Sequence, residues 1–136
     1  MIDGQGGGIG AALIKRMRAV LPEDVEILAL GTNAIATAQM LKAGANRAAS
    51  GENAVRETVR GVDVIVGPIS IVLAESMMGE MTAAMTAAIA NSPAPKYLLP
   101  LTQENIEVIG VTPEPLPHLV EYLVQKRLLP MVEVDG

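Results

Sequence analysis

The chain contains no cysteine, no tryptophan and no phenylalanine. Without a thiol it can build neither a disulfide scaffold nor a thiolate site. Tyr97 and Tyr122 are the only Phe, Trp or Tyr residues, so there is no aromatic platform for stacking the bases of a single-stranded nucleic acid. One histidine, His118, and no cysteine cannot make a transition-metal cluster, and no metal site is expected. Positive charge is also scarce: 10 Lys and Arg stand against 15 Asp and Glu, for a net charge of −5. The basic residues are scattered rather than striped, which makes duplex nucleic acid or an anionic membrane a poor partner. The apolar runs are short and broken by Gly, Pro or charge, so no membrane span is expected. The start lacks the charged-then-apolar pattern of a signal peptide, and cytoplasmic residence is the expectation.

What is present is aliphatic: half of the 136 residues are hydrophobic, carried by Ala, Val, Ile, Leu and Met. That length suits a single domain with a substantial core. The chain is organised around Asp3-Gly4-Gln5-Gly6-Gly7-Gly8-Ile9-Gly10, a glycine run between a scrap of strand and an amphipathic helix. Such a run lets backbone amides approach an anion, and the helix that follows offers free N–H groups and a positive dipole end. Met1-Ile2-Asp3 reads as the end of a first strand; a central parallel strand runs to about five residues, so this one is expected to be truncated. From Ile9 the period changes, with Leu13, Ile14, Met17, Val20 and Leu21 on one side and Pro22 as the stop.

Further strands are predicted over residues 25–30, 45–49, 62–66 and 97–101, and helices over residues 34–43 and from Ser50-Gly51-Glu52-Asn53 through Val59. Residues 69–91 read as a helical segment to Met78, a break at Gly79, and a helix with Met81, Ala84, Met85, Ala88 and Ile89 on one face. A last amphipathic helix turns Leu116, Leu119, Val120, Leu123 and Val124 inward, followed by a tail or small edge strand over residues 131–136. The alternation implies one α/β domain over residues 1–136, a three-layer Rossmann-like sandwich around a mostly parallel sheet. Ligands of such sheets lie beyond the carboxyl ends of the strands. The polar clusters fall there: Gly4 to Gly10, Gly31-Thr32-Asn33, Ser50 to Asn53, Gly67 with Ser70, and Thr102 to Asn105. The binding candidates are therefore Gly4, Gln5, Gly6, Gly7, Gly8, Ile9, Gly10, Thr32, Asn33 and Gly67. Gly, Ser and Asn also make turns and caps wherever strands end, which is the alternative for each later cluster.

Candidates for acid/base chemistry are Asp3, Glu52, Glu75 and His118. Asp3 stands at the mouth of the loop, to bind Mg²⁺ through water, to orient a ligand hydroxyl or simply to accept loop amides. Glu75 and Glu80 are conspicuous in an apolar neighbourhood, where burial would raise a carboxyl pKa. His118 is a proton carrier near neutrality or an exposed helix residue. The Met and Ala stretch from Met77 to Met85 is either core or a two-fold subunit interface, and a homo-oligomer is expected.

The spacing Gly4-x-x-x-Gly8-Ile9-Gly10 resembles the glycine pattern of short-chain dehydrogenases, which implies a nicotinamide dinucleotide and a catalytic Tyr-x-x-x-Lys, a spacing found at Tyr122-Leu123-Val124-Gln125-Lys126. The second strand, however, ends in Gly31-Thr32-Asn33, where dinucleotide folds keep an acid for the ribose hydroxyls. Over nearly its whole length the chain is similar to a bacterial family of small uncharacterised proteins, one of the domains of unknown function. The strings that carry this are the glycine run itself, Ala29-Leu30-Gly31-Thr32-Asn33-Ala34-Ile35-Ala36-Thr37, Met40-Leu41-Lys42-Ala43-Gly44-Ala45-Asn46, Gly51-Glu52-Asn53-Ala54 and Glu114-Pro115-Leu116-Pro117-His118-Leu119. That resemblance brings no activity with it. Three expectations follow: a module that binds a nucleotide, dinucleotide or phosphorylated metabolite; a small enzyme, oxidoreductase-like or acting on a nucleotide-like substrate; or a structural or regulatory subunit whose glycines serve packing.

Overall fold

A computed structural model describes residues 1–135, with side chains through residue 133. Five parallel strands alternate with helices. They are β1 (Ile2–Asp3), α1 (Gly8–Val20), β2 (Leu28–Gly31), α2 (Ala34–Lys42), β3 (Arg47–Ser50), α3 (Glu52–Thr58), β4 (Ile65–Pro68), α4 (Ala83–Asn91), β5 (Lys96–Leu99), α5 (Leu116–Leu123) and α6 (Leu129–Asp135). Hydrogen bonding joins β1, β2 and β3 in one ladder and β4 and β5 in another, all parallel. The ladders lie edge to edge through β1 and β4: a Cβ on Gly67 would stand 2.5 Å from the Ile2 carbonyl oxygen. The strand order is thus 3-2-1-4-5, the doubly wound arrangement in which the direction of winding reverses between β1 and β4.

Strand side chains alternate between two cores, as a sheet covered on both faces requires. Met1, Ala29, Val66 and Leu99 pack with Leu13, Ile14 and Met17 of α1, Met40 of α2, and Val120 and Leu123 of α5. Ile2, Leu30 and Ile65 point the other way, onto Val55 of α3 and Met85 and Ile89 of α4. Helices therefore cover both faces, giving three layers. An Arg16–Glu121 pair, 2.7 and 3.1 Å, ties α1 to α5 on the surface. Asn33 begins α2 by accepting the Ala36 N–H at 2.8 Å, and Thr82 begins α4 by accepting that of Met85 at 3.2 Å.

Several sequence expectations shift. The second and fourth strands begin three residues later than their hydrophobic runs, at Leu28 and Ile65, because pairing with β3 and β5 decides where a strand starts. The helix expected from Ile69 to Met78 does not form. A 3-10 turn over Ile69–Val72 gives way to consecutive turns in which Glu75, Met77, Met78 and Gly79 all adopt positive φ, from 57° to 88°. Met77, Met81 and Met85 are core residues, whereas Ala84, expected inward, is exposed. Residues 131–135 continue as helix instead of a tail or strand. A π-helical turn, Val124–Leu128, precedes α6. Pro130 is the physical reason: its ring would press on the carbonyl four residues back, at Lys126. That carbonyl instead accepts the Arg127 guanidinium at 3.0 Å. Among the described residues no helix is long and apolar enough to cross a membrane.

Candidate functional site

The site forms where the loops following β1 and β2 meet the segment following β4. Asp3 ends β1 with its carboxylate turned under the glycine run, accepting the Gly4 N–H at 2.8 Å and the Gly10 N–H at 2.7 Å. One buried carboxylate thereby fixes both ends of the loop. Burial pushes the Asp3 carboxyl up from its ordinary value; the two amide bonds oppose this and nearby Glu80 adds to it. The turn closes with the Gly7 N–H on the Gly4 carbonyl, 2.9 Å.

The glycines divide into two groups. Gly7 has φ +74° and lies against α2, where a Cβ would come within 2.9 Å of the Ala36 backbone. Gly10 faces Met40, whose sulfur would be 2.5 Å from a Cβ, and Gly4 meets Met77 at the same distance. Packing explains all three. Gly6 and Gly8 are different: both are exposed, a Cβ on either would meet nothing within 4 Å, and neither has positive φ. Nothing among the described residues calls for a glycine at those two positions. Gly67, by contrast, is occupied in bringing β4 against β1.

Above the loop sits Glu80. Its Oε1 accepts hydrogen bonds from the Gln5 N–H at 2.9 Å, the Thr32 hydroxyl at 2.6 Å and the Asn33 amide at 2.7 Å. Asn33 also donates to the Gln5 carbonyl at 2.9 Å. Partial burial pushes the Glu80 carboxyl up, but the bonds from Thr32, Gln5 and Asn33 outweigh it and hold the group below its ordinary value. The end of β2, which carries no acid of its own, thus receives one from 47 to 48 residues away. Ser70, donating to Thr102 at 2.9 Å, and Glu104, accepting the Met77 N–H at 3.1 Å, join the post-β4 segment to the loop after β5.

Of the sequence candidates, the fold brings Asp3, Gly4, Gln5, Gly6, Gly7, Gly8, Ile9, Gly10, Thr32 and Asn33 to one place. Glu75 is exposed, and it is Glu80 of that acidic pair that reaches the loop. Its apolar neighbourhood was the only sequence signal marking it. Glu52 accepts the Thr82 hydroxyl at 2.6 Å and links α3 to α4. His118 is exposed on α5, 3.2 Å from Glu114. Tyr122 pairs with Arg127, not Lys126: the guanidinium donates to its hydroxyl at 3.1 Å and lies 5.1 Å from the ring centre. The π turn redirects the side chains that a regular helix would have aligned. Among the described residues no group of three His, Asp or Glu could hold a metal ion.

At Glu80 the three bonds give a direct expectation. Glu80→Ala should lower stability by about 1–2 kcal/mol at pH 7, since charged hydrogen bonds at a part-exposed site contribute modestly. A group with lowered pKa stabilises the fold above its unfolded value of 4.5 and loses that contribution as pH falls through its folded value. Urea unfolding at pH 3 and pH 7 should therefore show the wild type and Glu80→Ala drawing together in acid; a constant gap would contradict this account of the site.

Sheet order, helix layers and the glycine turn opening α1 define a Rossmann-like α/β protein. The chain belongs to the family described as Domain of unknown function (DUF3842), which matches residues 1–131. No curated protein matches the chain, and no solved structure does.

Proposed function

We propose that the protein binds a small phosphorylated ligand of nucleotide or dinucleotide type at the glycine loop. The observation that carries this is the pair Gly6 and Gly8, exposed beside the first turn of α1 with open space where side chains would be. A bare backbone that neither packing nor dihedral angle demands serves close approach from outside, and a helix N-terminus is where an anion is favoured. Location supports the reading, since β1 and β4 flank the switch point at which doubly wound sheets take ligands. In this reading amides of the loop and the α1 start receive a phosphate, while Glu80 and Asn33 receive hydroxyl groups of the adjoining sugar.

Native mass spectrometry of the purified protein, followed by thermal-shift titration with nucleotides, dinucleotides and inorganic phosphate, tests it. The expected result is a retained mass or a saturable stabilisation of roughly 2–3 kcal/mol at ligand concentrations near one hundred times Kd. Gly8→Val should abolish that stabilisation while changing the unliganded protein by about 1 kcal/mol or less, because its side chain enters open space. No response to any of these ligands, with the fold intact, would transfer the glycines to a structural role.

A further inference from the structure

Most of the donors in the glycine loop are spent inside the protein. The Gly4 and Gly10 amides go to Asp3 at 2.8 and 2.7 Å, that of Gln5 to Glu80 at 2.9 Å, and that of Gly7 to the Gly4 carbonyl at 2.9 Å. The first four amides of α1 have no partner within the helix. Ala11 finds one in the Gly7 carbonyl, at 2.8 Å, and Gly10 in Asp3. That leaves Gly8 and Ile9, and with them Gly6, whose amides no acceptor takes among the described residues. Three neutral donors are enough for the oxygens of one phosphate group. They bring no full positive charge, and none stands near them in sequence: the loops at this edge of the sheet, residues 4–7, 32–33, 69–82 and 100–115, contain Glu75, Glu80, Glu104, Glu107 and Glu114 and not one Lys or Arg. Each further negative charge on a ligand is therefore opposed rather than neutralised. A phosphodiester carries one charge, whereas a terminal phosphate carries nearly two at neutral pH.

Glu80 reads the group beside that phosphate. Its Oε1 takes all three of its donors, from Gln5, Thr32 and Asn33, and its Oε2 has no partner among the described residues. The carboxyl lies below its ordinary value and is ionised at neutral pH. An unshared carboxylate oxygen accepts a hydroxyl and repels a second phosphate. We infer that Glu80 is the specificity-determining residue of the site, selecting a dinucleotide, whose phosphates are diesters, with the hydroxyls of the adjoining ribose free. Nucleoside triphosphates and dinucleotides phosphorylated on that ribose are rejected. This rests on the reading that the glycine loop receives a phosphate, and it adds which ligand of that class enters.

Isothermal titration calorimetry of the full chain, without divalent cations, compares nicotinamide adenine dinucleotide, its 2′-phosphorylated form and adenosine triphosphate. The first should bind at least about 30-fold tighter than either of the others. Glu80→Gln keeps an oxygen for the Gln5, Thr32 and Asn33 donors and turns an amide nitrogen outward, so the ratio between the two dinucleotides should fall below about 3-fold. Should that variant fail to fold, the ratio measured on the unaltered protein decides alone. Equal affinities for the two dinucleotides overturn the inference, as does a ratio that Glu80→Gln leaves unchanged. Gly8→Val keeps this failure apart from that of the underlying reading. Binding that Gly8→Val abolishes, with no preference between the dinucleotides, removes the role of Glu80 and leaves the phosphate at the loop; no binding of any of the three removes both.

Discussion

Raising the pH from 5 to 8 should stabilise the fold by roughly 4 kcal/mol through a single group, the Met1 amine. Burial lowers its pKa from 8.0 to about 5, and each pKa unit corresponds to about 1.4 kcal/mol. Below pH 8 the unfolded chain binds a proton that the folded chain refuses until pH 5. The unfolded state is therefore favoured as pH falls, and the contribution, complete above 8, is lost by 5. Urea unfolding at one-unit intervals measures the slope, and a chain acetylated at the Met1 nitrogen is the control. Acetylation should flatten stability between pH 5 and 8. An identical slope in both chains would show that the amine is hydrated in solution and that the interior around it is not closed.

The second large effect is expected at Asp3. Asp3→Ala leaves the Gly4 and Gly10 amides without the carboxylate that now takes them at 2.8 and 2.7 Å in a buried setting. Each buried donor left unpaired costs about 1–3 kcal/mol, partly offset because a desolvated carboxylate is removed, so a net loss of about 2–4 kcal/mol is expected. For a domain of this size that lowers Tm by roughly 10 °C. Asp3→Asn, with one acceptor oxygen and an amide that opposes the second N–H, should lose about half as much. The Asp3 pKa is raised, so its own pH contribution has the opposite sign to that of the amine: full below 3.8, it fades as pH rises through the folded value. If Asp3→Ala melts with the wild type, loop order is independent of the carboxylate. Loss of ligand response in that variant, with Gly8→Val as the comparison, would separate disorder of the loop from obstruction of its outer face.

Much of the architecture was legible because it depends on local pattern. Leu13, Ile14 and Met17 recur at helical spacing and pack together. Asn33 precedes a helix and caps it. Five apolar runs separated by helical periods leave few arrangements other than a parallel sheet covered on both faces. Boundaries were less legible, since Ile27 and Val64 look like strand residues but lie outside the paired ladders. The stretch between Ile69 and Met81 misled because its composition favours helix. Of the four positive-φ residues there, Met77 packs against Gly4 and donates its N–H to Glu104, contacts that no local window contains. Tyr122 and Lys126 misled for a related reason, a proline four residues downstream of Lys126 that distorts the turn between them.

The sequence by itself determined the class of fold, the position of the glycine turn at the head of α1 and the carboxylate beneath it, because each follows from residue type and spacing within about ten residues. Tertiary structure decided which glycines are consumed by packing and which face outward, since α2 approaches Gly7 through Ala36 and Gly10 through Met40 and leaves Gly6 and Gly8 open. It also decided that Glu80, and not Glu75, completes the site. Residues 75 positions apart meet when β1 and β4 become neighbours at the centre of the sheet, and that adjacency is a property of strand order.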